Sequence, residues 1–503
     1  MCTVDLKDAY YLIPIHPCHR KYLRFCFNGK LYEWNCLPFG LSCAPWVFTK
    51  ILKPVVSLLR EKGLLSVVYL DDFLLLGRTR SECISNVTET VKLLECLGFI
   101  VNYKKSNLIP NQTCKYLGFV YNSRTMSLSL PSDKRLKLIK LANQFITVQE
   151  CKIREFSKFI GSLVSAAPAI KYGFLYTKLF EQKKYRALRH SGGNYEAKMT
   201  LDSFLHSDIS WWISKLAVSC NPIRSDTFDI ELFTDASKTG WGAYCNGNTS
   251  FGFWSNSEKE NHINELELLA VLFGLKCFAR GCHNCNILCR VDNTTAIGTI
   301  NRMGSVRFQN LNKIARLIWG WCEERNIYIF ASYISSSENF FADKASRQEH
   351  QETEWSLENS AFQKVLKRFG VPDIDLFASR LNRKCKTFVS WKRDPEAFRV
   401  DAFTLNWSVF SFYAFPPFTL MLRTLQKIIK DHAEGVVVAP YWVSQPWYPV
   451  FLSLLTEEPL ILEPSDRLLS FSGIPHPMAK HLSLVVGKLS GKLFNSKTYR
   501  KTQ

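Results

Sequence analysis

The chain has 503 residues, 47% of them hydrophobic, enough for packed cores in about three domains. Its 64 Lys and Arg against 44 Asp and Glu leave a net charge of +20, which points to a polyanionic partner, nucleic acid being the commonest, without by itself separating that from an acidic membrane. No run of about 20 apolar residues is free of charge and the start "MCTVDLKDAY" lacks a signal-peptide shape, so no membrane partner is expected and the expected setting is intracellular, in cytoplasm or nucleus.

In chain order, "VDLKDAY" is a short apolar strand ending at Asp5, followed by Asp8, Ala9 and Tyr10. Next, "NCLPFGLSCAPWVFTKILKPVV" reads as a Pro and Gly loop entering an apolar helix. In "VVYLDDFLLLG" two short strands flank a tight turn with Asp71 and Asp72 at its tip. Adjacent carboxylates raise each other's cost of ionisation. Two readings account for them: a surface hairpin turn, where Asp is common, or a divalent cation, which takes carboxylate oxygens.

The series "VDLKDAY", "LPFGLSCAPWVF", "YLDD", "LGFIVNYKKS" and "KYLGFVYN" resembles, in sequence and order, the palm motifs of reverse transcriptases, most nearly those of gypsy-type and DIRS-type retrotransposons. The resemblance implies nucleotidyl transfer by two metal ions, with Asp5 and Asp71 bridging them and Asp72 alongside. It implies that Tyr10 is the steric gate against a 2′-hydroxyl, that Phe39 lies against the incoming nucleotide and template, and that Gly40 permits the turn beside it. Lys104 or Lys105 would approach the triphosphate. The plain alternatives are a half-buried strand tyrosine, a loop aromatic packed on the palm, and solvated lysines. That family carries a fingers subdomain before the first palm aspartate, and this chain begins four residues before Asp5. The fingers are therefore expected to be missing, as in a fragment of a longer polyprotein or a decayed copy.

After this module (1–121), residues 122–229 form a basic helical region. Between Pro131 and Thr200 there are 14 Lys or Arg against 5 Asp or Glu, on segments of helical spacing such as "DKRLKLIKLANQFI". The stretch resembles the thumb and connection of the same elements, whose helices track the primer and template backbone. "RHSGGNYEAKM" is read as a flexible loop.

A second acidic set occupies 230–350: Asp235 in the strand "IELFTDA", Glu267 in the helix "INELELLAVLFGL", Asp292 at the end of "ILCRVD", and Asp343 in "NFFADKASR". Taken singly, each reads as a strand end or helix cap. Together they resemble the ribonuclease H fold, a mixed five-stranded sheet flanked by helices. The resemblance implies that Asp235, Glu267 and Asp292 are the central metal ligands and that Asp343 completes a site hydrolysing RNA in a hybrid. Glu265 would point elsewhere. Many relatives carry a histidine ten residues before the last aspartate, and here Tyr333 stands there, which implies slower turnover with the ligands intact. The group Cys282, His283, Cys285 and Cys289 looks like a zinc knuckle, but "NILCRV" reads as a strand that turns Cys289 away from a shared ion. Seventeen cysteines, irregularly spaced, fit reduced thiols.

Residues 351–485, rich in Trp, Phe and Pro, are expected to form an α/β domain of unknown role, holding nucleic acid on its aromatics. Within it "FPPF" resembles the Asp-Pro-Pro-Tyr motif of adenine-N6 DNA methyltransferases, with Phe415 where that motif has a polar acceptor, so methyl transfer is not expected. Residues 486–503 read as a basic, disordered tail.

The fold class expected is thus α/β and α+β multidomain: a polymerase palm, a helical connection, a ribonuclease H-like mixed sheet with flanking helices, and a C-terminal α/β domain. The function expected is RNA-directed DNA polymerase with ribonuclease H. The alternative is an inactive, truncated nucleic-acid-binding remnant. The cofactor would be Mg2+, with Mn2+ suiting the same oxygens. The partners would be an RNA template, a DNA primer, an RNA/DNA hybrid, deoxynucleoside triphosphates and other retroelement proteins, including a recombinase, since no Arg, His, Arg, Tyr set for integration is found.

Overall fold

The computed structural model describes residues 1–218, 220–224, 226–347, 355–471 and 474–492. The chain divides into two compact units, Met1–Asp226 and Thr227–Gln503, so the expected modules fall two to a unit. No helix among the described residues is long and apolar enough to cross a membrane.

In the first unit, strand β1 (Cys2–Lys7) alternates buried and half-exposed residues, the period of a strand with one face on a core. It runs two residues beyond Asp5, where the sequence reading ended it. Strands β2 (Leu65–Tyr69) and β3 (Asp72–Leu76) form the expected hairpin. With β4 (Ile100–Val101) they complete an antiparallel sheet of order β2-β3-β1-β4. Helices α1 (Ala44–Glu61) and α2 (Arg80–Cys96) supply Phe48, Leu52, Leu59 and Leu94 to a core shared with Val4, Leu6, Phe73 and Leu75. The α2 start is fixed by Thr79, which accepts from the Glu82 N–H, while Glu82 accepts from the Arg78 N–H. A separate hairpin, Arg24–Phe27 with Lys30–Glu33, exposes all eight residues.

The basic region is helical as expected: α3 (Ser132–Thr147), α4 (Ile153–Ala166), α5 (Lys178–His190) and α6 (Leu205–Val218). They close on Phe145, Phe156, Phe159, Phe180 and Trp212. The Gly-Gly segment ends α5, with Gly192 and Gly193 both at positive φ and the Gly193 N–H bonded to the Leu188 carbonyl.

The second unit contains a five-stranded sheet of order β7-β6-β5-β8-β9: β5 (Ile230–Ala236), β6 (Gly240–Cys245), β7 (Asn248–Phe253), β8 (Asn286–Val291) and β9 (Tyr328–Tyr333). Strands β5, β8 and β9 are parallel; β6 and β7 are antiparallel to their neighbours. Helices α7 (Ile263–Phe278), α8 (Thr294–Asn301), α9 (Gln309–Glu324) and α10 (Phe340–Ser346) flank it. This is the mixed sheet the sequence implies. Cys289 is fully buried on β8.

A seven-stranded sheet follows: β10 (Ile374–Asp375), β11 (Thr387–Ser390), β12 (Arg399–Val400), β13 (Ser411–Ala414), β14 (Glu434–Pro440), β15 (Leu460–Leu462) and β16 (Leu484–Ser490). Its order is β12-β11-β10-β13-β14-β16-β15, parallel from β12 to β14, with β16 antiparallel to both neighbours. Helix α12 (Met421–Lys430) covers one face and α11 (Asn359–Phe369) the other, each over its own apolar core. The expected tail is corrected at its start. Residues 486–490 belong to β16, because Val486 and Leu489 are buried and Lys488 is only half-buried, paired with Glu434 at 3.5 Å. The tail from 493 onward lies outside the described residues.

The two sheets of this unit are joined by partly buried polar contacts. Arg380 inserts from the loop after β10, donates to both Glu258 oxygens at 2.9 and 2.6 Å, and reaches the Phe253 carbonyl at 2.7 Å. Arg280 donates to the Pro395 and Ala397 carbonyls, and Ser250 to the Arg393 carbonyl.

Candidate active sites

In the palm sheet, Asp5 and Asp72 face each other as register partners on β1 and β3. Asp71 occupies the two-residue turn behind Leu70, which takes φ 54°. A left-handed leucine costs about 1–2 kcal/mol, a strain that proteins keep mainly where geometry matters. The Asp71 carbonyl is tied to the Leu6 N–H, and the Asp5 N–H to Ser106 Oγ at 3.0 Å. Burial raises the Asp72 carboxyl above its ordinary range, helped by Asp71 and Asp5 and opposed by Lys105. Of the two expected lysines, Lys105 is thus the one whose charge acts on the site, and Lys104 lies exposed in the same turn. Tyr10 is buried, its ring 4.9 Å from Phe39 and 5.2 Å from Phe48. Burial and then the Asp71 charge push its hydroxyl pKa up. Phe39 is 59% exposed, and Gly40 sits at φ 90°, where a side chain would be strained.

The second site is tighter. Asp235 on β5, Glu267 on α7 and Asp292 just past β8 each place a ligand oxygen within 4.8 Å of the others. Among the described residues Asp5, Asp71 and Asp72 do not gather this closely. Asp235 and Glu267 are buried. Desolvation, then Asp235 and Asp292, push the Glu267 carboxyl up to about 9, with the Ala236 N–H acting the other way. Desolvation also raises Asp235, against a 2.5 Å hydrogen bond from Ser346 Oγ. Among the described residues, Glu267 Oε2 is buried without a hydrogen-bond partner. Three hard oxygen donors held together, one of them orphaned, fit a divalent cation.

Asp343 stands beside this trio: its charge acts on Asp235, and it pairs with Arg347 at 2.7 Å. Helix α10 can bring it there because Gly242 lies beneath the helix, where an added Cβ would sit 2.2 Å from the Ala342 carbonyl. Tyr333, at the end of β9, is in register with Val291, one residue before Asp292, and is 61% exposed. Two residues were missed in the sequence. Ser346 lies three positions after Asp343, one helical turn on, a spacing that could have flagged it. Ser336, which donates to Asp292 at 2.8 Å, follows no such period.

Residues 1–121 match the family described as reverse transcriptase (RNA-dependent DNA polymerase). That stretch is thus similar to a reverse transcriptase domain. Over 361 residues it is 25% identical to the enzymatic polyprotein of Cauliflower mosaic virus (strain D/H), covering 69% of this chain and 50% of that protein. Over 297 residues it is 26% identical to the genome polyprotein of Petunia vein clearing virus (isolate Shepherd), covering 57% of this chain and 13% of that protein. The chain thus spans about half the length, or less, of these relatives. Among solved structures, the foamy viral protease-reverse transcriptase in complex with RNA/DNA hybrid gives a TM-score of 0.40 at 18% identity, covering 71% of this chain and 48% of that one. The same protein with dsDNA gives 0.39 at 21%, covering 67% of each.

Proposed function

We propose that this chain is the polymerase and ribonuclease H portion of a retroelement polyprotein of the DIRS type, working inside the cell on an RNA template, a DNA primer and the resulting hybrid. The observation that carries the reading is the close trio Asp235, Glu267 and Asp292, the first two buried and Glu267 with an orphaned oxygen, downstream of a segment similar to reverse transcriptases.

In this reading Asp5, Asp71 and Asp72 hold Mg2+ at the palm, and Asp235, Glu267, Asp292 and Asp343 hold it at the second site, Mn2+ serving equally. Bound there, such ions would supply Lewis acidity and would ease deprotonation of a water or a primer hydroxyl near neutral pH. The chain's residues supply position. Ser346 and Ser336 fix the rotamers of Asp235 and Asp292, Tyr10 and Phe39 wall the nucleotide pocket, and Lys105 offsets charge beside Asp72. Clearing the template RNA suits a chain that also copies it. The rival reading, a binding-only remnant, gains support at the palm from the looser spacing of its three carboxylates.

Two assays on the full chain decide. Primer extension on an RNA template with deoxynucleotides and Mg2+ is expected, and is lost in Asp71→Asn. Cleavage of the RNA strand of a hybrid is expected, and is lost in Glu267→Gln. A folded chain that binds hybrid and performs neither reaction overturns the enzyme reading in favour of the remnant.

A further inference from the structure

The seven-stranded sheet has a topological switch point. From β10 the chain winds to one side through β11 and β12, then returns to the other side of β10 through β13 and β14. In such parallel sheets, ligands bind in the crevice outside the carboxyl ends of the strands where the winding reverses. The groups standing there are aromatic. The β13 strand ends directly in Phe415, Pro416, Pro417 and Phe418, and β14 is followed two residues on by Trp442. Phe418 lies at the centre of the group, its ring 6.2 Å from Phe415, 5.2 Å from Trp442 and 6.4 Å from His476. All four rings are half-buried, each leaving part of its surface open. On the same side of the sheet, the fully buried Tyr413 hydroxyl has no hydrogen-bond partner among the described residues. The loop that brings His476 also carries exposed Lys480 and His481.

We propose that this crevice holds an unpaired nucleobase of single-stranded nucleic acid, without reacting with it. Stacking on aromatic faces suits any base, and the adjacent basic loop suits the strand's phosphates. A small neutral ligand would leave that charge unused. Phe415 presents no polar atom at the position nearest the strand end, so at that point the site grips a flat ring. The proposal gives the domain a role in holding displaced or template single strand. It rests on the nucleic-acid reading above but not on catalysis at either carboxylate site.

The test is photocrosslinking of the full chain to a single-stranded oligodeoxynucleotide carrying 5-iodouracil, with the adduct mapped by mass spectrometry. Adducts are expected on the peptides holding Phe415 to Phe418 or Trp442. Phe418→Leu and Trp442→Leu, which keep an apolar side chain but remove the ring, are expected to lower the yield at this site about tenfold. A blunt duplex, whose bases are already stacked, is expected to give little adduct here. Adducts confined to residues 1–347, or equal yield from the duplex, overturn this inference and leave the enzyme reading standing. No binding of any oligonucleotide overturns both. Because the mapping is done on the unaltered chain, a variant that fails to fold does not blunt the test.

Discussion

Arg380→Met should unlock the second unit. The Arg380 side chain is 7% exposed and its partner Glu258 20%. The guanidinium makes two parallel bonds to that carboxylate, a third to the Phe253 carbonyl, and lies 4.6 Å from the Phe273 ring centre. Burial works to raise the Glu258 carboxyl, but Arg380 outweighs it, and the pKa ends below its ordinary value. Removing one partner of such a pair leaves a buried charge uncompensated and costs about 3–5 kcal/mol. At about 2–4 °C per kcal/mol for large domains, the transition of this unit should fall by roughly 10 °C. The double variant R380M/E258L, which removes both charges, should recover most of that loss. The sign with pH follows from the lowered carboxyl. The pair's stabilisation is full above the unfolded value of 4.5 and is lost as pH falls through the lower folded value. Differential scanning calorimetry of the full chain, at pH 7 and pH 4, reads all three quantities. A fall under about 2 °C, no recovery in the double variant, or an equal deficit at both pH values would refute the view that this ion pair locks the two sheets together.

Three further outcomes follow from the same geometry. Ser346→Ala removes the 2.5 Å bond to Asp235 and, at about 1.5–3 kcal/mol for a hydrogen bond to a charged group, should slow RNA hydrolysis about tenfold or more while leaving primer extension unchanged. Mg2+ should raise the melting temperature of the wild-type chain relative to chelator, and Glu267→Gln should shrink that gain, as differential scanning fluorimetry will show. Asp375, fully buried, is raised by desolvation from 3.8 to about 6 against hydrogen bonds from the Lys384 and Phe377 N–H groups. Its unfolded form therefore releases a proton at lower pH than its folded form, and the chain loses about 3 kcal/mol between pH 3.8 and 6 on this account. Asp375→Asn should flatten that stretch of the stability profile, and an unchanged slope in urea titrations would count against it.

How much of this was legible in the sequence differs from element to element. The Asp71–Asp72 hairpin could be read because its flanks are β-branched and aromatic and its turn is short, so local pattern sufficed. The trio of Asp235, Glu267 and Asp292 was marked only by the resemblance to the ribonuclease H fold, because each residue alone reads as a strand end or helix cap and no spacing rule joins them. Arg380 and Glu258 could not be paired: they stand 122 positions apart, and each alone reads as a solvated charge. Strand β16 was hidden for a related reason, since Lys488 made its segment look like part of a basic tail until Glu434 on the neighbouring strand accounted for the charge.

The seven-stranded sheet shows where local pattern carries least. Strands β10 and β12 are two residues long, too short for any period to register, and their places are fixed only by pairing with neighbours. Yet β10 sets the point where the winding reverses, and so decides which loop ends flank the crevice. Phe415 and Phe418 therefore read as a weak motif along the chain, because the information that makes them a platform lies in the strand order. The same holds for Asp375: at the end of a two-residue strand it looks like a turn residue, and only the covering of both sheet faces turns it into a buried acid.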